Sequence, residues 1–583
     1  MAMKQQDETQ QIFSTRQNQQ KGRNHMKEWQ TALKKNIYSR NPEFKHSIEF
    51  YFGENAKIIQ QRMEAFGKIV VDELEPLVDE NDFRLNLPRL EAFNGIGEYI
   101  NQVIHHPAYV AAGDIIYGTE MMRKAADPST FMESLCLFFL SSHAGEAGHN
   151  CPVACTAGII RVLGKSERNA EAEFYLQKLM EPSFKNNFTG AQFVTEVQGG
   201  SDVALNDCRA VQQSDGTWRI YGEKWFCSNA NADLILITAR YDESNEGTKG
   251  LGLFLIPALL NDGEKNQYRI RRLKEKLGTR TMASGEIDFD GAIASPVGEV
   301  SQGFKMLMQN VLHLSRIYNS MAALGAARRA IQIAYDYAEH RRAFGHAILN
   351  YPLVQENLVK LHVENIAAMS STLATIDLQA KYDAGQICGD SVSLLLRLLA
   401  NLNKYITALW GVEHIHHSID VLAGNGAIES FSSLPRLLRD SIVIENWEGT
   451  HNTLKMQILR DLHKYRIDEI FMRHVENELS EIHSDPPAKT EILNQLNKTR
   501  EMIQNMKQST EILQTLQIHQ VTEQMILIFC ALSLLKEGMH QQQQQISSKL
   551  DALEYLILIH FGNRKPDLNQ AYLDLIQKII RNF

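Results

Sequence analysis

The sequence has few cysteines, no long apolar run and little excess charge of one sign. Seven cysteines in 583 residues form an odd and sparse set, which is typical of a reducing compartment and speaks against a disulfide framework. The longest apolar run, Met525 to Leu535, is about half of the roughly 20 residues that a membrane-spanning helix needs. These features predict a cytoplasmic protein without a transmembrane segment.

The charge and the N-terminal composition exclude several classes of protein. A net charge of -9 gives no general attraction to polyanions, and 44% apolar with 22% charged residues is ordinary globular usage. The first forty residues are Gln-rich and carry eight Lys or Arg against three Asp or Glu, without the apolar centre of a secretory signal. We expect residues 1–41 to form a flexible leader.

The only close cysteine pair, Cys151 and Cys155, lies in a Cys-Pro-Val-Ala-Cys stretch. A tetrahedral zinc site needs two further ligands, and no second cysteine or histidine pair stands at a suitable spacing. Residues four apart share one face of a helix, so structural thiols are the prediction here, and no metal site is expected.

Hydrophobic spacing divides the rest of the chain, which is too long for one core, into four parts. Apolar residues at steps of three and four predict helices, and short alternating runs between Asn, Asp and Gly clusters predict strands. The fold class is therefore α+β and mostly α. The parts are an N-terminal helical domain at 42–187, a central antiparallel β domain at 188–297, a four-helix bundle domain at 298–462 and a C-terminal helical extension at 463–583.

The stretch from Phe193 to Asp202, Phe-Val-Thr-Glu-Val-Gln-Gly-Gly-Ser-Asp, is the most specific motif. Gly199 and Gly200 allow a ligand close to the backbone, and the hydroxyls of Thr195 and Ser201 can donate to flavin or phosphate oxygens. By itself such a stretch is explained equally well by an ordinary hairpin turn.

Several further blocks follow in an order that resembles the acyl-CoA dehydrogenase family. The stretch above is similar to that family's Thr-Glu-Pro-x-Ala-Gly-Ser-Asp signature, and Tyr221 to Asn229 resembles its Gly-x-Lys-x-Trp-Ile-Thr-Asn strand. The resemblance is clear over about residues 188–462 and looser before them. It implies FAD as cofactor and an acyl-CoA as substrate.

The resemblance also implies roles for individual residues of the β domain. Phe226 takes the place of the aromatic that covers the isoalloxazine ring, although the family has Trp there and this chain has its Trp one position earlier. Ser228 takes the place of a hydroxyl near flavin N5. The remaining cofactor contacts implied in this domain are Gln192, Thr195 and Ser201, with Ser201 also near the substrate.

A third block, from His340 to Gly345, resembles the Arg-x-x-Phe-Gly element by which one subunit reaches the FAD of its neighbour. Arg341 then binds the pyrophosphate, a role that suits a guanidinium fork, and Phe344 and Gly424 also contact the cofactor. A homotetramer, as a dimer of dimers, is implied. Where the family has a flavin-contacting Gln, this chain has Pro352, so that contact is expected to be missing.

The fourth block, Asn446-Trp-Glu-Gly-Thr450, resembles the family's Tyr-Glu-Gly-Thr and makes Glu448 the catalytic base. Gly449 leaves room for the thioester, and Thr450 and Asn452 contact FAD. A minority of the family places the base just before an arginine that here is Arg316. The equivalent position is Ser315, so the resemblance leaves Glu448 as the base and Arg316 as a substrate contact.

The chemistry explains why a carboxylate is needed at this position. An α-proton of a thioester is too weakly acidic for a free carboxylate, so donors must stabilise the enolate oxygen. In the family these donors are a flavin ribityl hydroxyl and the N–H of the base residue, while hydride passes from the β-carbon to flavin N5. Burial beside Trp447 is expected to raise the pKa of Glu448.

Three questions stay open at this stage. The stretch Asn150 to Thr156, with Trp225 and Trp447, most resembles the adaptive-response (AidB-like) branch, which binds DNA through a basic C-terminal domain. Here residues 463–583 carry 13 Lys or Arg against 15 Asp or Glu, so nucleic-acid binding is unlikely. The electron acceptor is expected to be an electron-transfer flavoprotein, with oxygen, as in acyl-CoA oxidases, the alternative. The acyl chain length stays undetermined.

Overall fold

The computed structural model describes residues 2–166, 169–562 and 566–583, with side chains described from residue 16 onward. Helices make up most of these residues and flank one large β-sheet, which confirms the mostly helical α+β class. The order along the chain is helical, β, helical and again helical, as the hydrophobic spacing predicts.

The N-terminal part is helical apart from one hairpin, formed by β1 (Arg89–Phe93) and β2 (Tyr99–Ile104), that the spacing analysis did not predict. Its strands pack beside the β domain, where the Tyr99 hydroxyl donates to the Ile270 carbonyl over 2.8 Å. The helices are α1 (Ala2–Ala32), α2 (Pro42–Phe52), α3 (Ala56–Ile69), α4 (Glu75–Asp82), α5 (Pro107–Gly118), α6 (Met121–Ala126), α7 (Phe131–Ser141), α8 (Asn150–Lys165) and α9 (Ala170–Leu179).

The prediction of a flexible leader over residues 1–41 is wrong for the part whose side chains are described. Helix α1 ends at Ala32, and Trp29 near that end is fully buried. Its ring stacks on Phe431 with 4.8 Å between centroids, and its Nε1 donates to the Ile333 carbonyl over 3.3 Å. The segment is polar on average, and this average hid the few buried residues that anchor it, among them Trp29 and Tyr38.

The central domain contains a seven-stranded sheet whose hydrogen-bonded order is β3-β6-β4-β5-β9-β7, with β8 paired to β9. Strand β6 also pairs with β7, so the order of strands closes into a ring. The β domain has a hydrophobic core that is separate from the core of the helices. Most pairs are antiparallel as predicted, but β6 pairs in parallel with β3 and with the end of β4. The strands are β3 (Gly190–Phe193), β4 (Arg209–Gln212), β5 (Trp218–Ser228), β6 (Leu234–Arg240), β7 (Leu251–Pro257), β8 (Tyr268–Leu273) and β9 (Ser284–Pro296).

Long helices form the bundle that follows. They pack through their apolar faces, with α11 against α13 as the most extensive pair. A small hairpin of β10 (Arg342–Ala343) and β11 (His346–Ala347) links the first two long helices. The helices are α10 (Gly303–Met306), α11 (His313–His340), α12 (Pro352–Asp383), α13 (Asp390–Leu422), α14 (Leu434–Asn446) and α15 (His451–Tyr465).

The extension packs on the bundle and on the N-terminal helices, and it shares one hydrophobic core with both. Its helix α18 is the described helix that is long and apolar enough to cross a membrane, yet 78% of its most apolar stretch is buried inside the protein, as in the core helix of a domain. The helices are α16 (Ile467–Ser480), α17 (Pro487–Lys507), α18 (Glu511–Gln542), α19 (Ser548–His560) and α20 (Gln570–Arg581).

Candidate active site

Glu448 lies in the short turn between α14 and α15. Its φ is +62° and that of Gly449 is +104°, both in the left-handed region that a residue with a Cβ rarely adopts. Helix α15 then begins at once, because the Thr450 hydroxyl caps it by accepting from the Thr453 N–H over 3.4 Å. A non-glycine residue kept in this conformation is a sign of function, since the surrounding structure must hold it there.

Two buried cations bind the backbone carbonyls of this turn. Arg316, on α11, donates from Nε to the Glu448 carbonyl over 3.2 Å and from Nη1 to Asn401 over 2.6 Å. Lys404, on α13, donates from Nζ to the carbonyls of Glu445 and Gly449 over 2.8 and 2.7 Å. The carbonyls of the turn are therefore fixed by side chains from two helices of the bundle.

The Glu448 carboxyl is electrostatically poised for proton transfer. It is half-buried, and desolvation raises its pKa to about 7, while Arg316, Lys404 and the adjacent Ser315 act in the opposite direction. Burial and the nearby Arg316 likewise lower the pKa of Lys404 to about 7, against the attraction of Glu448. The direction predicted for Glu448 is confirmed, and a base with a pKa near neutrality suits proton abstraction at physiological pH.

The glycine turn of the β domain faces the same region. The Ser201 hydroxyl lies 3.2 Å from the Thr453 hydroxyl in the first turn of α15, so the two domains meet here. Gly199 has no room for a side chain, because an added Cβ would lie 2.6 Å from the Asp202 carbonyl oxygen. Thr195 lies under the turn, with its methyl group 3.5 Å from where a Cβ on Gly200 would be.

Gln192, on β3, connects the β domain to α8. Its Nε2 lies 3.5 Å from the Cys155 carbonyl, and its buried Oε1 has no hydrogen-bond partner among the described residues. The Cys155 thiol lies within electrostatic reach of Glu448. A buried acceptor without a donor at this place is unusual and fits a ligand that supplies an N–H, as an isoalloxazine ring does.

The second block of the β domain presents an aromatic surface next to this turn. The Trp225 N–H donates to the Thr195 carbonyl over 3.0 Å, and Phe226 is 45% exposed, a large fraction for a Phe. Lys274 Nζ lies 3.5 Å from the Trp225 ring centroid. Ser228 lies 3.3 Å from the Ser284 hydroxyl. The exposed ring, the glycine turn and the unpaired Gln192 acceptor together fit a flavin.

Three of the implied cofactor residues lie elsewhere. Arg341 and Phe344 are exposed at the far end of α11, and Phe344 is 95% exposed. The turn that contains Gly424 lies beside them, since Asn425 Nδ2 donates to the Tyr337 hydroxyl over 3.1 Å. About 24 helical residues separate Arg316 from the end of α11, which corresponds to a distance of roughly 36 Å along the helix axis. This distance is larger than the diameter of a small domain, so these three residues are far from Glu448 in the same chain.

The remaining implied residues lie near Glu448 with different exposure. Asn452 and Thr450 are exposed at the start of α15, and Gly449 is half-buried, with Arg316 Nη2 3.8 Å from where its Cβ would be. Arg316, which the sequence assigns to the substrate, is only 5% exposed. Its observed contacts hold the turn, while contact with a substrate stays a prediction.

Lys404 is the residue of the candidate site that sequence reasoning missed. A signal was present, because a single lysine stands within a long apolar stretch of α13, between the buried Leu402 and Ile406. A charge on a buried face needs partners, which here are the carbonyls of Glu445 and Gly449.

Three family models match the chain in sequence. They are the adaptive response protein AidB N-terminal domain at residues 29–186, the acyl-CoA dehydrogenase middle domain at 191–292 and the acyl-CoA dehydrogenase C-terminal domain at 301–463. "Acyl-CoA dehydrogenase family member 11" of Caenorhabditis elegans is 33% identical over 68% of this chain and 65% of its own length. AidB of Escherichia coli is 29% identical over 65% of this chain and 70% of its own length.

Solved structures agree with the sequence matches. Caenorhabditis elegans ACDH-11 in complex with C11-CoA superposes with a TM-score of 0.84 at 26% identity, over 92% of this chain and 93% of that chain. A Bacillus anthracis acyl-CoA dehydrogenase complexed with FAD superposes with a TM-score of 0.68 at 18% identity, over 90% and 94% of the two chains, which shows the fold.

Proposed function

Because this chain belongs to the acyl-CoA dehydrogenase family, whose members are oxidoreductases acting on CH–CH bonds, we propose that it is an FAD-dependent enzyme that oxidises an acyl-CoA thioester at its α,β-bond. The observation that carries this proposal is Glu448, a half-buried carboxyl with a pKa of about 7 in a strained turn opposite the glycine turn of the β domain. The nematode relative solved with C11-CoA supports an acyl-CoA as the substrate class.

In the proposed mechanism Glu448 removes the α-proton of the thioester. The N–H of Glu448 lies between the end of α14 at Asn446 and the start of α15 at His451, outside both helical ladders, and donates to the thioester carbonyl oxygen. Hydrogen bonding at this oxygen stabilises the enolate that develops as the proton leaves. Arg316 and Lys404 keep the turn in place during this step.

The cofactor is held by the surface described above. FAD, when bound, would supply the hydride acceptor for the β-carbon. Gln192 would supply a hydrogen-bond acceptor, Thr195, Ser201 and Ser228 would supply hydroxyl groups, and Phe226 would supply an aromatic face for the ring system. The FAD-bound Bacillus anthracis structure of the same fold supports this choice of cofactor.

A homotetramer completes the site in this proposal. Arg341, Phe344 and Gly424 lie about 36 Å from Arg316 along α11, so they serve the cofactor of a neighbouring subunit. The electron acceptor proposed is an electron-transfer flavoprotein, and the location proposed is the cytoplasm. Nucleic-acid binding is not proposed, because the extension is slightly acidic.

A stopped-flow experiment on the FAD-loaded protein tests the proposal. A panel of acyl-CoA thioesters, from branched short to straight long chains, is mixed anaerobically with the parent and with Glu448→Gln, and flavin bleaching is recorded. We expect bleaching by part of the panel and a loss of about 10²- to 10⁴-fold in rate for the Gln variant. The control Glu413→Gln removes one exposed carboxylate of α13 and keeps the parent rate.

Two outcomes contradict parts of the proposal, one the assignment of the base and the other the assignment of the electron acceptor. If Glu448→Gln bleaches at the parent rate, Glu448 is not the base. If the reduced parent releases peroxide rapidly when air is admitted, the enzyme is an oxidase and oxygen replaces the flavoprotein acceptor.

A further inference from the structure

A line of polar side chains leads from a lysine of the β domain to the surface proposed to hold the flavin. Lys276, in the loop between β8 and β9, donates from Nζ to the Ser284 hydroxyl over 2.9 Å. The Ser284 hydroxyl in turn lies 3.3 Å from the Ser228 hydroxyl. The mechanism proposed above does not use Lys276, although this line connects it to one of the residues assigned to the cofactor.

The β-sheet fixes the two hydroxyls relative to each other and to the exposed ring of Phe226. Ser228 is the last residue of β5 and Ser284 the first of β9, and the two stand directly opposite in the register of the pair. Side chains alternate along a strand, so Phe226 and Ser228 share the outer face while Cys227 between them is buried. The line therefore ends at the same surface as the exposed ring.

The loop that carries Lys276 is held at an interface between domains. Two residues further on, Gly278 packs against α14 so closely that the Arg439 carbonyl occupies the place of a Cβ. The Thr279 N–H donates to Asp440, also on α14, over 2.7 Å. The position of the cation is therefore set by the β domain and the helical bundle together.

Lys276 carries a positive charge at neutral pH. Burial lowers its pKa to about 8, while the acidic groups of Glu146 and Asp440 act in the opposite direction. A pKa above neutrality leaves the protonated form in the majority, and the ammonium group then has only N–H donors and no acceptor. Two of these donors bind the Ser284 hydroxyl and the Met282 carbonyl, at 2.9 and 2.8 Å.

The charge determines which way the hydroxyl groups point. Because Lys276 can only donate, Ser284 accepts from it and keeps its single hydrogen for another acceptor. The acceptors within reach are the Ser228 oxygen at 3.3 Å and the Met282 sulfur at 3.6 Å, and a thioether sulfur is a weak acceptor. Ser228 therefore accepts from Ser284 and directs its own hydrogen outward, to the face that it shares with Phe226.

We propose that Lys276 is a positioning residue that fixes Ser228 as a hydrogen-bond donor to the bound flavin and makes that flavin easier to reduce. The proposal rests on the proposed function, because it requires FAD at this surface. Reduction adds negative charge to the flavin ring, and a cation with two aligned hydroxyl dipoles in front of it stabilises added negative charge. Lys276 acts through Ser284 and Ser228, so its effect does not require contact with the acyl-CoA.

The midpoint potential of the bound flavin tests this proposal without any acyl-CoA. FAD-loaded protein is reduced stepwise in the absence of oxygen together with a reference dye, and the visible spectra of flavin and dye give the potential. Lys276→Met is expected to lower the equilibrium constant for flavin reduction about tenfold, which is about 30 mV for a two-electron couple. Lys276→Arg keeps the charge and the donors and should recover most of the difference.

A second variant tests the line of hydroxyl groups itself. Ser284→Ala removes the middle hydroxyl and keeps the cation, so it should also lower the potential, by less than Lys276→Met. Its effect should be smaller in the Lys276→Met background than in the parent, because the two substitutions interrupt the same line. The control Lys249→Met removes an exposed lysine of the same domain, with the same change of net charge, and should leave the potential unchanged.

The outcomes separate this proposal from the proposed function. If the parent binds FAD and either Lys276→Met or Ser284→Ala keeps the parent potential, or if Lys249→Met shifts it as far, the positioning role is wrong and the dehydrogenase assignment is unaffected. If the parent binds no FAD, the proposed function fails and this proposal fails with it. If Lys276→Met does not fold, because Glu146 then lacks this cation nearby, Ser284→Ala alone decides.

Discussion

The charge state of Glu448 results from opposing effects on one carboxyl group. Burial favours the neutral acid, and the positive charges of Arg316 and Lys404 favour the carboxylate. The desolvation effect is larger, so the pKa is raised to about 7 from the ordinary value of 4.5. For a carboxyl raised in this way, the contribution to stability is full below pH 4.5 and is lost as the pH rises through 7.

The first prediction concerns the pH dependence of the reaction. Only the carboxylate form of Glu448 can accept a proton, so the rate of flavin reduction by acyl-CoA should rise about tenfold per pH unit below the pKa and level off above pH of about 7. This profile is obtained by measuring the rate of flavin reduction in stopped-flow experiments from about pH 5 to about pH 9. A rate that is flat through neutrality contradicts the assignment, and the residual rate of Glu448→Gln should lack this limb.

The second prediction concerns Lys404, which acts on the reaction by positioning Glu448. Lys404→Met removes a charge that lowers the pKa of Glu448, so the rising limb should move to higher pH by about one unit, and the plateau rate should fall as the turn loosens. Lys404→Arg keeps the charge and should restore part of the shift.

The control for this variant is Lys381→Met, at an exposed lysine of α12 paired with Asp377. It should leave the pH profile unchanged. If Lys404→Met lowers the rate of flavin reduction without shifting the rising limb of the pH profile, Lys404 affects the reaction through packing and not through the pKa of Glu448.

The residue types at the site were largely predictable, and their surroundings were not. Glu448, Ser201 and Phe226 are recognised from short blocks because each block is contiguous in sequence. Arg316 and Glu448 are 132 residues apart, and no local pattern states that the guanidinium donates to that carbonyl. Lys404 was overlooked for the same reason.

At the scale of elements, the turn between α14 and α15 places the base. The chain leaves α14 in an extended conformation at Trp447, passes through two left-handed residues and enters α15 under the Thr450 cap. This path reverses the chain within a few residues and leaves the Glu448 N–H outside both helices. The left-handed backbone at Glu448 costs about 1–3 kcal/mol, which the contacts of Arg316 and Lys404 offset.

The third prediction addresses this turn. Gly449→Ala adds a Cβ at a φ of +104°, 3.4 Å from the Leu454 side chain, and should lower the free energy of unfolding by about 1–3 kcal/mol. The turn is expected to shift to relieve the strain of the added Cβ, and this shift displaces Glu448, so the rate of flavin reduction should also fall. Urea unfolding and stopped-flow reduction measure the two effects.

The matched control is Gly164→Ala, at an exposed position in the last turn of α8 where no atom lies within 4 Å of an added Cβ. It should leave the rate unchanged and be neutral or stabilising by up to about 1 kcal/mol. Equal effects of the two substitutions would show that the conformation of Gly449 has no special role.

Two long helices of the bundle were predicted within a residue or two, and the short hairpin of the N-terminal part was not. The apolar stripes predict helices at 353–382 and 391–422, and the structure has them at Pro352–Asp383 and Asp390–Leu422. The hairpin of β1 and β2 has strands of five and six residues without a fully buried residue, so neither strand has the buried face that a clear alternation would indicate.

At the scale of the whole molecule, the three helical parts share one core, and buried charges fix the extension to the rest. Lys549 on α19 pairs with Glu537 on α18, and both side chains are fully buried. Lys549 Nζ also donates to the Ser47 hydroxyl of α2 over 2.7 Å. The extension is thereby held in register against the first helices of the chain.

The fourth prediction is that this pair stabilises the fold only as a complete pair. Lys549→Met leaves Glu537 buried and unpaired, and the free energy of unfolding should fall by about 3–5 kcal/mol in urea. The double variant Glu537→Leu with Lys549→Met should recover most of that loss. Lys578→Met breaks the partly exposed pair with Asp551 and should cost less than about 1 kcal/mol. A single-variant cost as small as that of the control contradicts the prediction.

The sequence alone determined the succession of helical, β and helical segments and singled out Glu448 as the proposed base, because hydrophobic period and short motifs depend on neighbouring residues. The tertiary structure decided that α1 is anchored by Trp29, that Arg316 and Lys404 converge under Glu448, and that Arg341 lies roughly 36 Å away from them. These relations join distant parts of the chain, so packing sets them and no local pattern records them.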